Sequence, residues 1–198
     1  MRAEEITQNE ISPELQQLID AATATGNKMA ASKTHRYQLY MPKFDRTALG
    51  EDFKPNAKLW TSTAISQGPK TYTSEWADWC VQNMPRWVSP TGSLYQVQTG
   101  ARVLNLGSDA AAERVAKVFG KDYSGLSRYA KLSDYPWESL GKYFDGVRYP
   151  ARIKRRFDNI LMSLWDVEST AWYNTDVLKL VGEVKIQPRE WRTKYAGD

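Results

Sequence analysis

The sequence predicts an α+β protein with a largely antiparallel sheet, and three observations support this fold class. Short segments rich in aromatic and β-branched residues, which are typical of strands, outnumber the helical patterns. Strands and helices do not alternate regularly, as a parallel α/β sheet would require. With 198 residues, of which 41% are hydrophobic, the chain can bury one sizeable core. We therefore expect a single α+β domain over residues 34–198, preceded by an N-terminal helical segment over residues 1–33.

The first predicted element is a helix with clear start signals. Ser12 is suited to cap its N-terminus, and Pro13 is suited to its first helical position. Apolar residues then recur at helical spacing, namely Leu15, Leu18, Ile19 and Ala22. We expect Gly26 to end this helix, because glycine is common just past a helical C-terminus.

Two strands are predicted next, over residues 34–41 and 59–65. Alternation along the first strand assigns its residues to two faces. One face carries Arg36, Gln38 and Tyr40, and the other, which we expect to face the core, carries His35, Tyr37, Leu39 and Met41. In the second strand Ser62 points opposite to Thr61 and Thr63, so a hydroxyl group faces the interior or a cleft whichever side is buried.

The remaining elements follow from capping residues, turn residues and periodicity. In chain order they are a helix over 74–84 ended by Pro85, strands over 93–98 and 101–106, a helix capped by Ser108 and ended by Gly120, a short helix over 134–143, a strand over 146–149, and late strands over 161–168, 171–173 and 177–186. Gly182 is a candidate bend in the last strand. No internal repeat or low-complexity linker divides this series.

The composition excludes several classes of chemistry. Cys80 is the one cysteine and His35 the one histidine, so we expect no disulfide, no zinc site and no bound metal. The glycine-rich stretches of Rossmann and P-loop nucleotide sites are absent. No run reaches the roughly 18 apolar residues of a membrane span, and the N-terminus lacks an apolar leader. These features predict a cytoplasmic protein with no membrane partner.

The segment 161–174 carries the strongest candidate for a catalytic site. Asp166 and Glu168 stand two positions apart, so in a strand both carboxylates would point to one face. Carboxylates beside Trp165 and Trp172 are costly to desolvate unless they are paired or used. We therefore identify Asp166 and Glu168 as candidate catalytic residues; the alternative is two solvent-facing acids at the end of a strand.

Three motifs, in their order along the chain, resemble those of the mono-ADP-ribosyltransferases of the Arg, Ser, Glu type. The motifs are His35-Arg36-Tyr37 in an early strand, Trp60-Thr61-Ser62-Thr63 in the next strand, and Asp166-Val167-Glu168 late in the chain. The resemblance covers roughly residues 34–186. It implies two facing, mainly antiparallel sheets with a few flanking helices. It also implies a bacterial or phage enzyme of the toxin or effector kind.

The resemblance further implies NAD as cofactor and ADP-ribose transfer to a macromolecular acceptor, either protein or nucleic acid. Glu168 would be the catalytic acid, Arg36 would hold a phosphate or ribose of NAD, and Ser62 or Thr61 would brace the pocket. Asp166 stands where members of this family carry Glu or Gln. Tyr37 replaces a small residue, so Trp60 and Tyr95-Gln96 compete with it as contributors to the nicotinamide pocket. The implied cofactor-binding residues are Arg36, Tyr37, Trp60, Thr61, Ser62 and Thr63.

Two other functions remain open from the sequence. A basic cluster is able to neutralise phosphates and would suit a nucleic-acid-binding accessory protein; it consists of Arg148, Arg152, Lys154, Arg155 and Arg156, with Trp137, Tyr143 and Tyr149 as stacking surfaces. Alternatively, the protein is a structural or interaction module that keeps a transferase-like fold without activity. Burial of Glu168 against a basic side chain, with no open cleft, would favour the second alternative.

Overall fold

A computed structural model describes residues 11–42, 55–121, 135–150 and 167–189 of the chain. Within these ranges there are four α-helices and nine strands. The helices are α1 (Pro13–Ala31), α2 (Glu75–Asn83), α3 (Asp109–Val118) and α4 (Trp137–Tyr143). The strands are β1 (Tyr37–Tyr40), β2 (Leu59–Thr63), β3 (Ile65–Gly68), β4 (Thr71–Thr73), β5 (Thr91–Val97), β6 (Val103–Asn105), β7 (Gly146–Tyr149), β8 (Ser169–Trp172) and β9 (Leu178–Ile186).

The described strands form one hydrogen-bonded series in the order β3-β4-β9-β5-β1-β2-β8-β7-β6. The neighbours β4 and β9 run parallel, as do β6 and β7. The other neighbouring pairs are antiparallel. The predicted α+β class is therefore confirmed, in the form of a mixed sheet that is mainly antiparallel.

Helix α1 begins as predicted but continues past its predicted end. The Ser12 side chain accepts a hydrogen bond from the backbone N–H of Leu15 at 3.1 Å. The prediction that Gly26 ends the helix is wrong, because α1 runs through Gly26 to Ala31. A Cβ atom at Gly26 would lie 1.8 Å from the carbonyl oxygen of Ala101. Glycine is needed here for close packing of the helix against the chain, rather than for a turn.

The chain after β2 departs from the predicted single strand. The predicted strand over 59–65 divides at Ala64, and β3 then forms a hairpin with β4. Lys70 occupies the turn of this hairpin with a φ of 52°, a left-handed conformation that side chains other than glycine seldom adopt. The hairpin was not predicted because its strands are short and the residues of β3 are largely polar.

The sheet is covered on both faces where β1 and β2 meet. On one face Leu39 and Met41 pack in a cluster with Ala77 and Cys80 of α2. On the other face Gln38 is fully buried, at 0% exposure. The two central residues of β1, Gln38 and Leu39, are therefore both buried although they point to opposite faces, and burial is not confined to the predicted face. Polar side chains in this region consequently need hydrogen-bond partners inside the protein.

The later elements agree with the sequence patterns, with one exception. Ser74 and Ser108 cap α2 and α3 as predicted, and α4 and β7 lie where the patterns placed them. Of the predicted strand over 161–168, residues 161–166 lie outside the described residues. The prediction is wrong for Glu168, which directly precedes β8 instead of lying within a strand. Within the part of the chain that the structure describes, no helix combines the length and apolar character needed to cross a membrane.

Candidate functional site

The carboxylate of Glu168 is buried and receives four hydrogen bonds. Its residue is 6% exposed. Oε2 accepts from the Ser62 hydroxyl at 2.9 Å and from the backbone N–H of Thr63 at 2.7 Å. Oε1 accepts from the Thr63 hydroxyl at 2.9 Å and from Nε of Arg148 at 3.3 Å. An ionised carboxylate offers about four acceptor positions, so this environment matches its capacity.

The register of β2 and β8 explains how Glu168 reaches these donors. Thr61 pairs with Thr170, so the register places Ser62 opposite Ser169, the first residue of β8, and Thr63 beyond it, opposite Glu168. In a longer β8, a backbone carbonyl would accept the hydrogen bond from the Thr63 N–H. Here the side chain of Glu168 accepts it instead. The Ser62 hydroxyl also lies 2.8 Å from the Glu168 carbonyl oxygen, so its proton is shared between two acceptors.

Arg148 belongs to this site, although the sequence suggested it as a nucleic-acid contact. It lies on β7, opposite Thr170 of β8. Its side chain is only 12% exposed and forms an ion pair with Glu168, whose side chain is 7% exposed. The other members of the predicted basic cluster, Arg152, Lys154, Arg155 and Arg156, lie outside the described residues. In the structure, Arg148 is thus engaged by a carboxylate.

Arg36 does not share this pairing with Glu168. It is exposed and lies in the bend just before β1, so the predicted strand over 34–41 is wrong for this residue; its guanidinium faces the side-chain amide of Gln96. With the amide oxygen turned toward the guanidinium, that oxygen accepts from Nε at 3.1 Å and from Nη2 at 2.7 Å. The guanidinium carbon also lies 5.7 Å from the centre of the Tyr37 ring. Arg36, Tyr37 and Gln96 therefore form a separate group where β1 begins.

The other candidate residues lie at different distances from the carboxylate. Thr61 hydrogen bonds to Gln38 and Trp172 instead of Glu168. The ring of Trp60 packs partly buried against the core cluster that includes residues of α1, α3 and α4. Asp166 lies outside the described residues. Of the predicted set, the structure therefore brings Ser62, Thr63 and Glu168 into direct contact.

Three residues around Glu168 were not recognised as site residues in the sequence. Glu75, at the start of α2, accepts a hydrogen bond from the backbone N–H of Glu168 at 3.3 Å. Gln38 contacts the Thr63 hydroxyl, and Arg148 forms the ion pair. For Gln38, a polar residue among the aromatics of a strand was the one available signal. Glu75 and Arg148 depend on the packing of distant elements, which no local pattern encodes.

The groups that contact the Glu168 carboxylate offer hydrogen-bond and ionic chemistry. Among the described residues, no group of three or more His, Cys, Asp or Glu side chains is arranged to hold a metal ion. A cavity of about 350 Å³ lies between α1, α3 and β6, and its lining includes Leu18, Asn105 and Arg114. None of the residues that contact the Glu168 carboxylate lines this cavity.

The chain was compared with protein-family models, curated proteins and solved structures. No family model, curated protein or solved structure matches it. The function of the site is therefore inferred from its own geometry and from the order of its motifs.

Proposed function

We propose that this protein is an NAD-dependent mono-ADP-ribosyltransferase in which Glu168 is the catalytic carboxylate. The observation that carries the proposal is the set of hydrogen bonds from Ser62 and Thr63 to a buried Glu168. These residues are 106 and 105 positions away from Glu168 in the chain. The motif resemblance independently assigns a catalytic role to this glutamate and a bracing role, through Ser62 or Thr61, to this hydroxyl strand. Their direct contact supports that assignment.

The reaction needs one well-placed negative charge. When the bond between nicotinamide and C1′ of the ribose breaks, its electron pair leaves with nicotinamide, which departs as a neutral molecule. The ribose becomes cation-like, as in glycoside hydrolysis. In the proposal, Glu168 accepts a hydrogen bond from the ribose 2′-hydroxyl and stabilises the developing charge. The acceptor nucleophile then forms a bond to C1′ and loses its proton.

The hydrogen bonds of Glu168 indicate where the ribose hydroxyl would enter. The four donors already match the acceptor capacity of the carboxylate, so one of them has to give way. The contact from Arg148 to Oε1, at 3.3 Å, is the longest of the four. We therefore assign the approach of the 2′-hydroxyl to Oε1, with displacement of Arg148. Ser62 and the backbone of Thr63 keep Oε2 in place during this exchange.

Arg36 and Tyr37 are assigned to the dinucleotide in the same proposal. The contacts to Gln96 involve Nε and Nη2, which leaves the remaining guanidinium donors to hold phosphate oxygens. Tyr37 lies beside this guanidinium and is only partly buried, and we assign its ring to stacking on nicotinamide. Thr61 and Trp60 then support the strand from which Ser62 acts.

The proposal includes the finer features that the resemblance implies. These are two facing sheets, Asp166 as the residue that presents the acceptor, and a macromolecular acceptor in the cytosol of the producing or target cell. A bacterial or phage toxin or effector would act in this way. These features are proposed together with the activity and depend on it.

The first experiment tests the role of Glu168. Purified protein is incubated with NAD labelled in the adenylate moiety and with a cell lysate, and label transfer and NAD loss are both measured. We expect Glu168→Gln to lower the rate about a hundredfold or more, because a preorganised charge of this kind lowers the barrier by roughly 3 kcal/mol or more. Glu183→Gln, the same substitution at an exposed position of β9, is the matched control. Equal rates for wild type and Glu168→Gln would contradict the proposed role.

The buried ion pair between Glu168 and Arg148 supports one alternative function. In that case Glu168 joins β2, β7 and β8 without catalysing a reaction, and the protein is a structural or interaction module. A wild-type protein that consumes no NAD in any lysate, combined with a large drop in Tm for Glu168→Gln, would favour this alternative. The same two measurements therefore separate the two functions.

A further inference from the structure

A line of buried polar side chains leads from the core to the Glu168 carboxylate. Nε1 of Trp172 lies 2.8 Å from the Thr61 hydroxyl, which lies 2.9 Å from Oε1 of Gln38. Nε2 of Gln38 lies 3.4 Å from the Thr63 hydroxyl, which lies 2.9 Å from Oε1 of Glu168. The third of these contacts is the longest. Together they form a continuous chain of four hydrogen bonds.

The chemistry of the groups fixes the direction of every hydrogen bond in this chain. An indole N–H only donates, so Thr61 accepts from Trp172 and its own proton is left for Gln38. The orientation of the Gln38 amide is fixed independently, because Nε2 also donates to the carbonyl oxygen of His35 at 3.1 Å. Thr63 accepts from Gln38 and donates to Glu168. Each group therefore donates toward the carboxylate.

The burial of this series of hydrogen bonds indicates that its polar side chains do more than fill space in the core. Gln38 and Trp172 are each 0% exposed, and Thr61 is 3% exposed. Burying an amide and a hydroxyl costs free energy that an apolar side chain of similar size would avoid. In a low-dielectric interior, aligned hydrogen bonds also polarise one another. The last hydrogen bond of the series is donated to Oε1 of Glu168, so the polarisation of the whole series acts on this one oxygen atom.

We propose that Gln38 is a positioning residue for the catalytic carboxylate. Its amide donates to the Thr63 hydroxyl, which directs the Thr63 proton to Oε1 and holds the carboxylate in one orientation. Trp172 and Thr61 in turn hold the Gln38 amide. The catalytic part of this inference rests on the proposed function, since Oε1 is the atom to which the ribose 2′-hydroxyl is assigned.

Enzyme kinetics provide the first readout. Gln38→Met keeps an unbranched side chain of similar length but removes both the amide donor and the acceptor. We expect kcat to fall about tenfold with little change in KM for NAD, since the lost alignment acts on the charge that develops in the transition state. Gln67→Met, the same substitution at an exposed position of β3, is the matched control and is expected to retain wild-type kcat. Val115→Ala, which removes packing in α3, controls for a general loss of stability. An unchanged kcat in Gln38→Met would overturn the inference.

A second readout does not depend on activity. The backbone N–H of Thr63 donates to Oε2 of Glu168, so its proton chemical shift reports where the carboxylate lies. In ¹H–¹⁵N spectra of the folded proteins, we expect this resonance to move upfield in Gln38→Met, in the same direction as in Glu168→Gln. If it moves but the wild type consumes no NAD, the proposed function fails and the positioning role stands. If it does not move, the positioning role fails whatever the activity.

Discussion

At the scale of single residues, the pairing of Arg148 with Glu168 sets the energetics of the site. Both side chains are nearly buried, so their charges have left water and depend on protein groups for stabilisation. Ser62 and Thr63 supply neutral donors to Glu168, whereas Arg148 supplies a positive charge. When Arg148 is removed, Glu168 therefore keeps three hydrogen bonds but loses its only cationic partner among the contacts described.

We expect Arg148→Met to destabilise the protein because it leaves the Glu168 charge buried without its cationic partner. Removing one partner of a buried ion pair costs roughly 3 kcal/mol or somewhat more, and urea unfolding would measure the change. The double variant Arg148→Met with Glu168→Gln should recover part of this loss, since the buried charge is then absent as well. A double variant that is less stable than both single variants would contradict the assigned pairing.

The residue scale also shows which parts of the site a sequence can predict. The resemblance grouped Glu168 with Ser62 or Thr61 and with Arg36, and of these Ser62 contacts the Glu168 carboxylate in the structure. Gln38 and Arg148 did not follow from it, because each reaches the site through strand register. Gln38 is opposite Thr63, and Arg148 is opposite Thr170, and neither pairing can be derived from local periodicity.

At the scale of elements, the approach of α1 to the chain at Ala101 depends on a glycine in the middle of the helix. Sequence patterns treat glycine as a helix terminator, whereas here it is buried and in contact with backbone atoms. The Asn27 side chain accepts from the backbone N–H of Gly100 at 2.8 Å and so reinforces the same contact. A local rule failed because the requirement comes from packing between distant segments.

The substitution Gly26→Ala tests whether Gly26 is needed for packing, because the two explanations predict changes of opposite sign in the free energy of unfolding. A methyl group at this position would overlap the carbonyl of Ala101, so we expect a loss of about 2 kcal/mol in the free energy of unfolding. If Gly26 were merely a poor helix former, alanine would instead stabilise the helix by about 1 kcal/mol. Urea unfolding distinguishes the two, with exposed Ala24→Gly as a control for helix propensity alone.

At the scale of the whole molecule, the sequence indicated the elements better than their arrangement. Most helices and strands lie close to their predicted positions because caps, turns and periodicity are local properties. The sheet order is not local: β9 lies between β4 and β5, and β6 lies beside β7 at the far edge. Such neighbours are selected by the burial of side chains from many segments at once, so single-sequence patterns do not predict them.

The stability of the whole molecule should respond to alkaline pH through Tyr173. Its hydroxyl donates to the Trp137 carbonyl at 3.0 Å, and burial raises the pKa of the phenol. In the unfolded chain this phenol ionises near pH 10, while in the folded protein it stays neutral to higher pH. Unfolding therefore releases a proton above about pH 10, and stability falls as the pH rises further.

The variant Tyr173→Phe isolates this contribution. We expect it to lose roughly 1 kcal/mol at neutral pH, where the hydrogen bond is removed, and to show a shallower decline in Tm above about pH 10 than the wild type. The comparison of the two Tm curves cancels the effect of the other tyrosines. Parallel curves across the alkaline range would exclude the assigned role of Tyr173.

The short length of β8 has a mechanical consequence. β8 begins at Ser169, and just before it the Glu168 side chain, rather than a backbone carbonyl, accepts the hydrogen bond from the backbone N–H of Thr63. A local opening that separates β2 from β8 at this end must also break the hydrogen bonds from the Ser62 and Thr63 hydroxyls to the carboxylate. Local unfolding at this end of the sheet therefore also disrupts the environment of the Glu168 carboxylate, so the two are expected to be lost together.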